Sequence, residues 1–521
     1  MASLVYLKNK KSGITYVYEN VSYWDKKEKK SKSKRKCIGH LDPETKEIKP
    51  NGKRGPRKKK EDITQPEKEA PKCQALTCGV STLLDKVSSE IGLSTELKKT
   101  FPNDWRAILT CAYYLVSEGQ ALSRAERWTQ QAITPYGTML ANQRISELLT
   151  RITPALSQDF FTRWIAHNKS DEYYCMDITS VSSYSEQNNF VSYGYNRDEE
   201  ELPQINLLMV SGHTSHLPLF FRALPGSIKD VSTMEESLER LELIDVKRLH
   251  LVMDKGFYSK KNVDAMYKRH IRFLIGVPFT TSLALNAVER CRNNNMISFK
   301  NYHNILGDEL YASTECSQWK GHKCYVHTYF DSFKAALDEK KFGHKLLMEY
   351  EELISGATCK EHQDDYKKFF IIKKTAKGAI KVEYNQDAID QYRRNTAGWF
   401  VLISNDIKDP VKALEIYRMK DAVEKHFDDL KNDLDMKRLR VHSAAAMDGR
   451  LFIQYIALIL SSQIKVVMNR NGWFKKHNMQ DVIDEMKSLR VISIQGKRKR
   501  IYTTLTSFQK EIIKLFELSL C

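Results

Sequence analysis

The chain has 521 residues, a length that predicts about three or four domains. Hydrophobic residues make up 41% of it and its mean hydropathy is -0.51, which together exclude an integral membrane protein. The longest apolar run, residues 451–460, has about half the length of a membrane span and therefore predicts a buried helix. No apolar segment follows the early lysines, so we expect a cytoplasmic protein with no secretory signal and with reduced cysteines.

The positive charge is concentrated near the N-terminus. Residues 1–60 carry 19 lysines and arginines against 6 acids, so they contribute +13 of the net charge of +18. This asymmetry predicts a polyanionic partner, most simply nucleic acid, and the alternative is a solvated tail. Arg54, Arg57 and Lys58 surround a Gly-Pro pair, a pattern that suits an extended segment in a DNA minor groove. A linker that contacts phosphates without sequence preference is the simpler alternative for so short a motif.

The predicted elements change character along the chain. Residues 1–50 alternate apolar and polar side chains and predict short strands, whereas residues 73–170 have helical periodicity and predict a DNA-binding domain or a packing scaffold. Strands and helices then alternate, as in an α/β domain. We therefore predict a multi-domain, mixed fold with these parts: 1–72, a basic arm with short strands; 73–170, a helical domain; 171–280 and 398–445, an α/β domain; 281–397, a large insertion within it; 446–521, a helical C-terminal region.

Two aspartates directly follow apolar segments of the α/β part. Asp177 ends the run 171–177, and Asp254 ends the run 248–254. Because α/β sheets place their ligand sites at the carboxyl edge, we expect the two side chains to lie close together. Neighbouring carboxylates repel one another unless a cation or a proton intervenes, and oxygen ligands suit Mg²⁺. The alternative is that each aspartate only terminates a strand or caps a helix.

A long helix predicted over about 410–435 supplies a third acid. Its apolar stripe is expected to pack on the sheet and consists of Ile416, Met419, Val423, Phe427, Leu430 and Leu434. Tyr417, Lys420, Glu424 and Lys431 each follow a stripe residue and therefore form one line about 100° from the buried seam. Asp428 is a rival third carboxylate. The alternative is that these are ordinary solvent-exposed residues of a helix, with Lys420 and Glu424 as an i,i+4 ion pair.

Cysteines and histidines also occur together in the insertion. The five residues are Cys316, His322, Cys324, Cys359 and His362. Four of them could surround a zinc ion, but structural zinc sites usually bring their ligands in tight pairs, and this spacing is irregular. The spacing therefore argues against a zinc site.

The residues on the predicted helix carry a resemblance to a known family. Tyr417-x2-Lys420-x3-Glu424-x6-Lys431 resembles the Y-x2-R-x3-E-x6-K signature of a subgroup of DDE transposases from bacterial and archaeal insertion sequences. The one departure is Lys420 in place of arginine, which replaces a bidentate phosphate contact by a point charge. The segments 176–180, 194–207, 224–230 and 253–259 are similar to further family segments, and the resemblance covers most of 75–470.

The resemblance implies an RNase H-like catalytic domain interrupted by the insertion. It implies that Asp177, Asp254 and Glu424 bind two Mg²⁺ ions, with Mn²⁺ as a substitute, for phosphoryl transfer. Tyr417, Lys420 and Lys431 would position DNA phosphates. The implied partners are transposon ends with terminal inverted repeats and target DNA, bound by a nucleoid-associated homodimer on paired ends. Two alternatives stay open, a transposase-derived DNA-binding protein without activity and an RNase H-like nuclease without strand transfer.

Overall fold

A computed structural model describes residues 2–10, 12–51, 73–185, 188–198, 200–228, 234, 250–374, 380–441, 443–494 and 501–520. The chain divides into two compact units, Met1–Lys72 and Cys73–Cys521. Arg54, Arg57 and Lys58, predicted to contact DNA, lie outside the described residues.

The first unit is an antiparallel sheet of four strands in the order β1-β2-β3-β4. The strands are β1 (Ala2–Lys8), β2 (Thr15–Asp25), β3 (Lys30–Leu41) and β4 (Ile48–Pro50). Strand formation follows from the alternation of side chains along β2 and β3, which pair over ten residues of β2 with one irregularity between Val17 and Tyr18. Val17 is fully buried, whereas Tyr6, Tyr23 and Trp24 are at least half exposed.

The second unit begins with a strand and six helices. They are β5 (Cys73–Thr77), α1 (Gly79–Glu90), α2 (Leu93–Thr100), α3 (Trp105–Glu118), α4 (Ala125–Thr129), α5 (Asn142–Arg151) and α6 (Pro154–Asn168). Proline at the first position of α6 and the capping Thr153 hydroxyl fix where that helix starts. Trp164 of α6 is fully buried and donates its indole N–H to the Pro218 carbonyl at 2.9 Å. The helical region therefore packs directly on the sheet that follows.

A large mixed sheet forms the centre of this unit. Its strands run in the order β11-β12-β13-β16-β10-β9-β6-β7-β8, and β17 pairs with β6. The strands are β6 (Tyr173–Ser183), β7 (Gln204–Gly212), β8 (Pro218–Pro225), β9 (His250–Met253), β10 (Arg272–Val277), β11 (Tyr302–Ile305), β12 (Asp308–Trp319), β13 (His322–Phe330), β16 (Trp399–Ser404) and β17 (Arg438–Leu439). β9 is parallel to both β6 and β10, whereas β7 and β16 are antiparallel to their neighbours. Two helices flank these strands, α7 (Lys260–Lys268) and α8 (Ser282–Asn293).

The residues expected to form the insertion have two different structures. Strands β11 to β13 extend the central sheet through the pairing of β13 with β16, because their buried faces continue its core. The later part has a small core of its own, built around Phe342, Leu346 and Phe369. It consists of α9 (Ser332–Ser355), α10 (Gln363–Phe369), β14 (Phe370–Lys374), β15 (Ile380–Tyr384) and α11 (Gln386–Thr396). Only this later part is structurally separate from the sheet.

The prediction of one continuous helix over 410–435 is wrong. Helix α12 (Pro410–Arg418) ends at a break, α13 (Asp421–Asp428) follows, and a π-helical turn occupies Asp429–Asp433. The chain tightens at the break, where the Lys420 N–H bonds to the Tyr417 carbonyl three residues back. Met419, expected in the buried stripe, is 39% exposed because it lies at this break.

The C-terminal region combines helices with two strands. It contains α14 (Ala444–Arg470), α15 (Met479–Lys487), β18 (Arg490–Ile494), β19 (Ile501–Tyr502) and α16 (Ser507–Leu515). β18 pairs with β5, so the two ends of the second unit meet in one sheet, and the region predicted to be helical also contains strands. Among the described residues α14 alone has the length and apolar composition of a membrane span, and 83% of its most apolar window is buried in the protein.

Candidate active site

The register of two parallel strands places Asp177 beside Asp254. β6 and β9 pair from Tyr173 with His250 to Met176 with Met253, and the next residues are Asp177, within β6, and Asp254, directly after β9. The sequence predicts that Asp177 ends its strand, and this prediction is wrong. β6 continues to Ser183 because the antiparallel β7 still pairs with it, and there Asp177 lies opposite Met209. The two carboxylates therefore lie where the parallel pairing of β6 with β9 ends.

The Asp177 carboxyl is in an environment that disfavours its charge. Burial raises its pKa to about 6, although Arg197, the Ile178 N–H and Lys420 oppose the shift; the neighbouring Asp254 raises the pKa further. The Ile178 N–H donates to an Asp177 oxygen at 2.8 Å. A cation bound at this point would be stabilised by both carboxylates.

Tyr417 connects the helix to the strand acids. Its hydroxyl donates a hydrogen bond to Asp254 Oδ1 at 2.8 Å. Burial raises the pKa of Tyr417 far above its usual value and Asp254 adds to this effect, so the phenol keeps its proton and remains a donor. Gly276 of β10 makes room for it, since a Cβ there would lie 2.8 Å from the Tyr417 hydroxyl. The side chain of Tyr417 is thereby fixed between β10 and Asp254.

Lys420 interacts with all three predicted acids. Its ammonium donates to Glu424 Oε1 at 2.5 Å, and its side chain is 18% exposed, compared with 52% for Glu424. Burial lowers the pKa of Lys420, but Glu424, Asp254 and Asp177 together outweigh burial and raise it. Glu424 is thus connected to the strand acids through Lys420. Asp428 is exposed, and its negative charge contributes to the raised pKa of the neighbouring Asp429.

These acids provide oxygen ligands of the kind that Mg²⁺ prefers, and the raised pKa of Asp177 indicates a place where positive charge is favourable. In the described part of the chain no group of three or more His, Cys, Asp or Glu side chains is arranged to hold a metal ion. Asp177 and Asp254 offer the oxygen chemistry that suits a divalent cation, whereas the Glu424 carboxylate is paired with Lys420. Of the five cysteines and histidines considered above, Cys316, His322 and Cys324 lie on strands β12 and β13 of the central sheet. Cys359 and His362 lie in the separate part of the insertion, where His362 pairs with Glu352 at 2.9 Å.

The last residue of the signature, Lys431, has a different partner. Its ammonium contacts both carboxylate oxygens of Asp198 at 2.7 Å, and its side chain is 11% exposed. The neighbouring Arg197 donates to the Ile178 carbonyl, beside Asp177. Arg197 is absent from the residues predicted for the site. The available signal is its position in the segment 194–207, which is similar to a family segment. Lys431 thus holds the segment that carries Arg197 against the π-helical turn.

Helix α14 anchors the other side of that turn. The Lys465 ammonium lies 2.5 Å from an Asp429 oxygen, and the Arg450 guanidinium lies 2.7 Å from Asp435 Oδ2. Arg450 is 5% exposed, so its charge is compensated inside the protein. The end of the helix that carries Glu424 is therefore held from two directions.

A cleft of about 1440 Å³ opens from the site toward the separate part of the insertion. Its walls include nine cationic side chains against four acidic ones, and five of the cations are in ion pairs. The remaining positive charge suits a polyanion. The cationic residues are Arg197, Lys255, Lys334, Lys341, Lys345, Lys368, Arg393, Arg418 and Lys420.

Comparison with known proteins gives one family. The family model described as the transposase DDE domain matches residues 169–460, more than half of the chain. A cryo-EM structure of the piggyBac transposase synaptic complex with hairpin DNA is similar over 78% of this chain and 76% of that one, at 10% identity and a TM-score of 0.39. No curated protein matches the sequence.

Proposed function

The chain belongs to the transposase DDE domain family, and from this premise we propose that it cleaves the ends of a mobile element and joins them to target DNA. The observation that carries this proposal is the adjacency of Asp177 and Asp254 on parallel strands at a cleft with predominantly cationic walls. A buried carboxyl pair suits divalent cations, and the cationic walls suit the DNA backbone.

We propose an RNase H-like arrangement for the catalytic domain. The order β8-β7-β6-β9-β10, with an antiparallel first half and a parallel second half, supports it. The spacing from Tyr417 to Lys431 supports membership of the insertion-sequence subgroup with the Y-x2-R-x3-E-x6-K signature, and hence a bacterial or archaeal source.

In this proposal Asp177, Asp254 and Glu424 hold two Mg²⁺ ions, for which Mn²⁺ can substitute. The ions would supply an activated nucleophile and stabilise the leaving oxygen of the phosphodiester. Tyr417 keeps Asp254 oriented through its hydrogen bond, and Lys420 partly offsets the charge of the acids until the ions bind. Once Glu424 separates from Lys420, the ammonium is available to a DNA phosphate.

We infer that a homodimer binds two transposon ends with terminal inverted repeats, and that it acts in the cytoplasm on nucleoid DNA. The paired state of Lys431 limits its role, because a lysine already bound to Asp198 contacts a phosphate only by exchanging partners. Phosphate contacts in the cleft would orient the DNA and would not select its sequence.

The test is strand cleavage and strand transfer with DNA from the boundaries of the element that encodes the chain. Wild-type protein with Mg²⁺ should nick the end and join it to a target duplex, and the Asp177→Ala and Asp254→Ala variants should bind the same DNA without cleaving it. Binding without cleavage by the wild type would favour the inactive DNA-binding alternative. Cleavage without joining would favour the nuclease alternative.

A further inference from the structure

The four-stranded sheet of the first unit has two chemically different faces. Residues that pair across antiparallel strands lie on the same face. Tyr23 pairs with Lys32, Val21 with Lys34, and Glu19 with Lys36, so the alternating lysines of β3 share one face, which we call the lysine face. Its members on β3 are Lys30, Lys32, Lys34 and Lys36.

The opposite face carries different side chains at the intervening positions. Ser31 pairs with Trp24, Ser33 with Ser22, and Arg35 with Asn20. Arg35 is thus the one cation that this stretch of β3 places there. The net charge of the sequence Lys-Ser-Lys-Ser-Lys-Arg-Lys does not show on which face of the sheet each cation lies. The pairing register of β3 with β2 assigns the lysines to one face and Arg35 to the other.

The lysine face has charge available for a partner. Lys32 is already paired with Asp25 and Glu28, at 2.8 and 2.7 Å. Lys34 and Lys36 are exposed, and neither forms an ion pair with a residue that the structure describes. Alternate residues of a strand are about 6.8 Å apart, so the four lysines extend over about 20 Å in a straight row.

We propose that the lysine face binds the backbone of duplex DNA. A straight row of cations fits a regularly charged, stiff polyanion. Beyond the residues that pair with β1 and β4, the β2–β3 hairpin is a two-stranded ribbon, which is narrow enough to enter a major groove. Tyr6 and Tyr23, about half exposed on the same face, contribute flat surfaces beside the row. The choice of DNA as the polyanion rests on the proposed function. A second copy of the chain is a poorer partner, because it would present the same positive row.

The experiment moves charge across the sheet without changing the net charge. The full-length variant Ser31→Lys/Ser33→Lys/Lys34→Gln/Lys36→Gln keeps four cations at positions 30–36 besides Arg35 but shifts two to the opposite face. We expect its affinity for random duplex at about 0.1 M salt to fall roughly 60-fold, and the slope of log K against log salt to flatten by about 1.8. Affinity and slope equal to wild type would overturn the proposal, since net charge alone would then account for binding.

Single substitutions keep the test valid if the fourfold variant does not fold. Lys36→Gln should flatten the slope by about 0.9, whereas Arg35→Gln, on the adjacent residue of the same strand, should leave it unchanged. Equal effects of both substitutions would contradict a role for one face. Cleavage of end DNA by the wild type, measured in parallel, distinguishes failure of the lysine-face proposal from failure of the proposed function. If the wild type cleaves and Lys36→Gln binds DNA normally, only the lysine-face proposal is refuted. If the wild type neither binds nor cleaves DNA, the proposed function is refuted.

Discussion

The strand acids and the helix acid of the candidate site are positioned by different forces. Asp177 and Asp254 are adjacent because backbone hydrogen bonds fix the register of β6 and β9, and this would hold for any side chains at those positions. Glu424 lies on a broken helix, where it is oriented by an ion pair with Lys420 and is half exposed. The comparison indicates a rigid half of the site, set by the sheet, and an adjustable half, set by electrostatics.

The largest effect expected from this comparison concerns the acids themselves. Asp177→Asn or Asp254→Asn should lower the rate of end cleavage by roughly 10³-fold or more, because the sheet offers no substitute ligand in the rigid half. Glu424→Gln should be comparably severe if the carboxylate moves to the metal during the reaction. Asp428→Asn, four residues further along the helix, is the matched control and should cleave normally. Gel-based cleavage assays under single-turnover conditions measure all four variants.

Loss of activity in Asp428→Asn with normal activity in Glu424→Gln would exchange the roles of the two residues.

The second effect concerns the connection between the two halves. Tyr417→Phe removes the hydrogen bond to Asp254, and Gly276→Ala places a methyl group 2.8 Å from the same hydroxyl. A hydrogen bond to a charged group contributes about 1.5–3 kcal/mol, so each variant should cleave about 10- to 100-fold more slowly. Because both changes break one contact, the double variant should be little worse than either single one. If the rate reductions of the two single variants instead multiply in the double variant, Gly276→Ala acts through a contact other than the Tyr417 hydroxyl.

The sequence predicts the acids positioned by the sheet better than the acid positioned by ion pairs. The adjacency of the two aspartates was predictable because apolar runs followed by acids identify strands and their ends, even though β6 turned out to continue beyond Asp177. The break between α12 and α13 was not predictable, because the apolar spacing from Ile416 to Val423 continues across it. The partner of Lys431 was also hidden, since Asp198 is 233 residues away in sequence. Helical periodicity specifies a face, but it contains no information about long-range ion pairs.

The third effect is a pH dependence set by Lys420. Its positive charge lowers the pKa of Asp177, which burial has raised to about 6. Lys420→Gln should therefore raise that pKa further and leave more Asp177 protonated at pH 6 than at pH 8.5. Cleavage by the variant should fall about tenfold at pH 6 and less at pH 8.5, whereas Lys420→Arg should follow the wild type. A loss that is equal at every pH would mean that Lys420 only contacts DNA.

The smallest effect is on stability without metal. A carboxyl whose folded pKa exceeds the unfolded value of 3.8 binds its proton more tightly when folded, so its contribution to stability is present below pH 3.8 and is lost as the pH rises through about 6. At pH 8 the Asp177 carboxylate should therefore cost about 1–3 kcal/mol. Asp177→Asn should unfold at higher denaturant than wild type at pH 8 in EDTA, and this difference should vanish near pH 3.5.

The control for this measurement is Asp428→Asn, whose exposed carboxyl should leave the unfolding midpoint unchanged at both pH values. An Asp177→Asn variant less stable than wild type at pH 8 would indicate that Arg197 and Lys420 already compensate the buried charge.

The central claim is that Asp177 and Asp254 bind the metal ions that cleave DNA, and exchange of the ligand atom tests it most directly. In Asp254→Cys a softer sulfur replaces the carboxylate oxygen that Mg²⁺ prefers, whereas Mn²⁺ tolerates sulfur better. We predict that this variant binds end DNA, fails to cleave it with Mg²⁺, and regains cleavage with Mn²⁺ in single-turnover assays, while Asp254→Ala stays inactive with both ions. Full cleavage by Asp254→Ala with Mg²⁺ would contradict the claim, because the carboxylate would then be dispensable for metal-dependent chemistry.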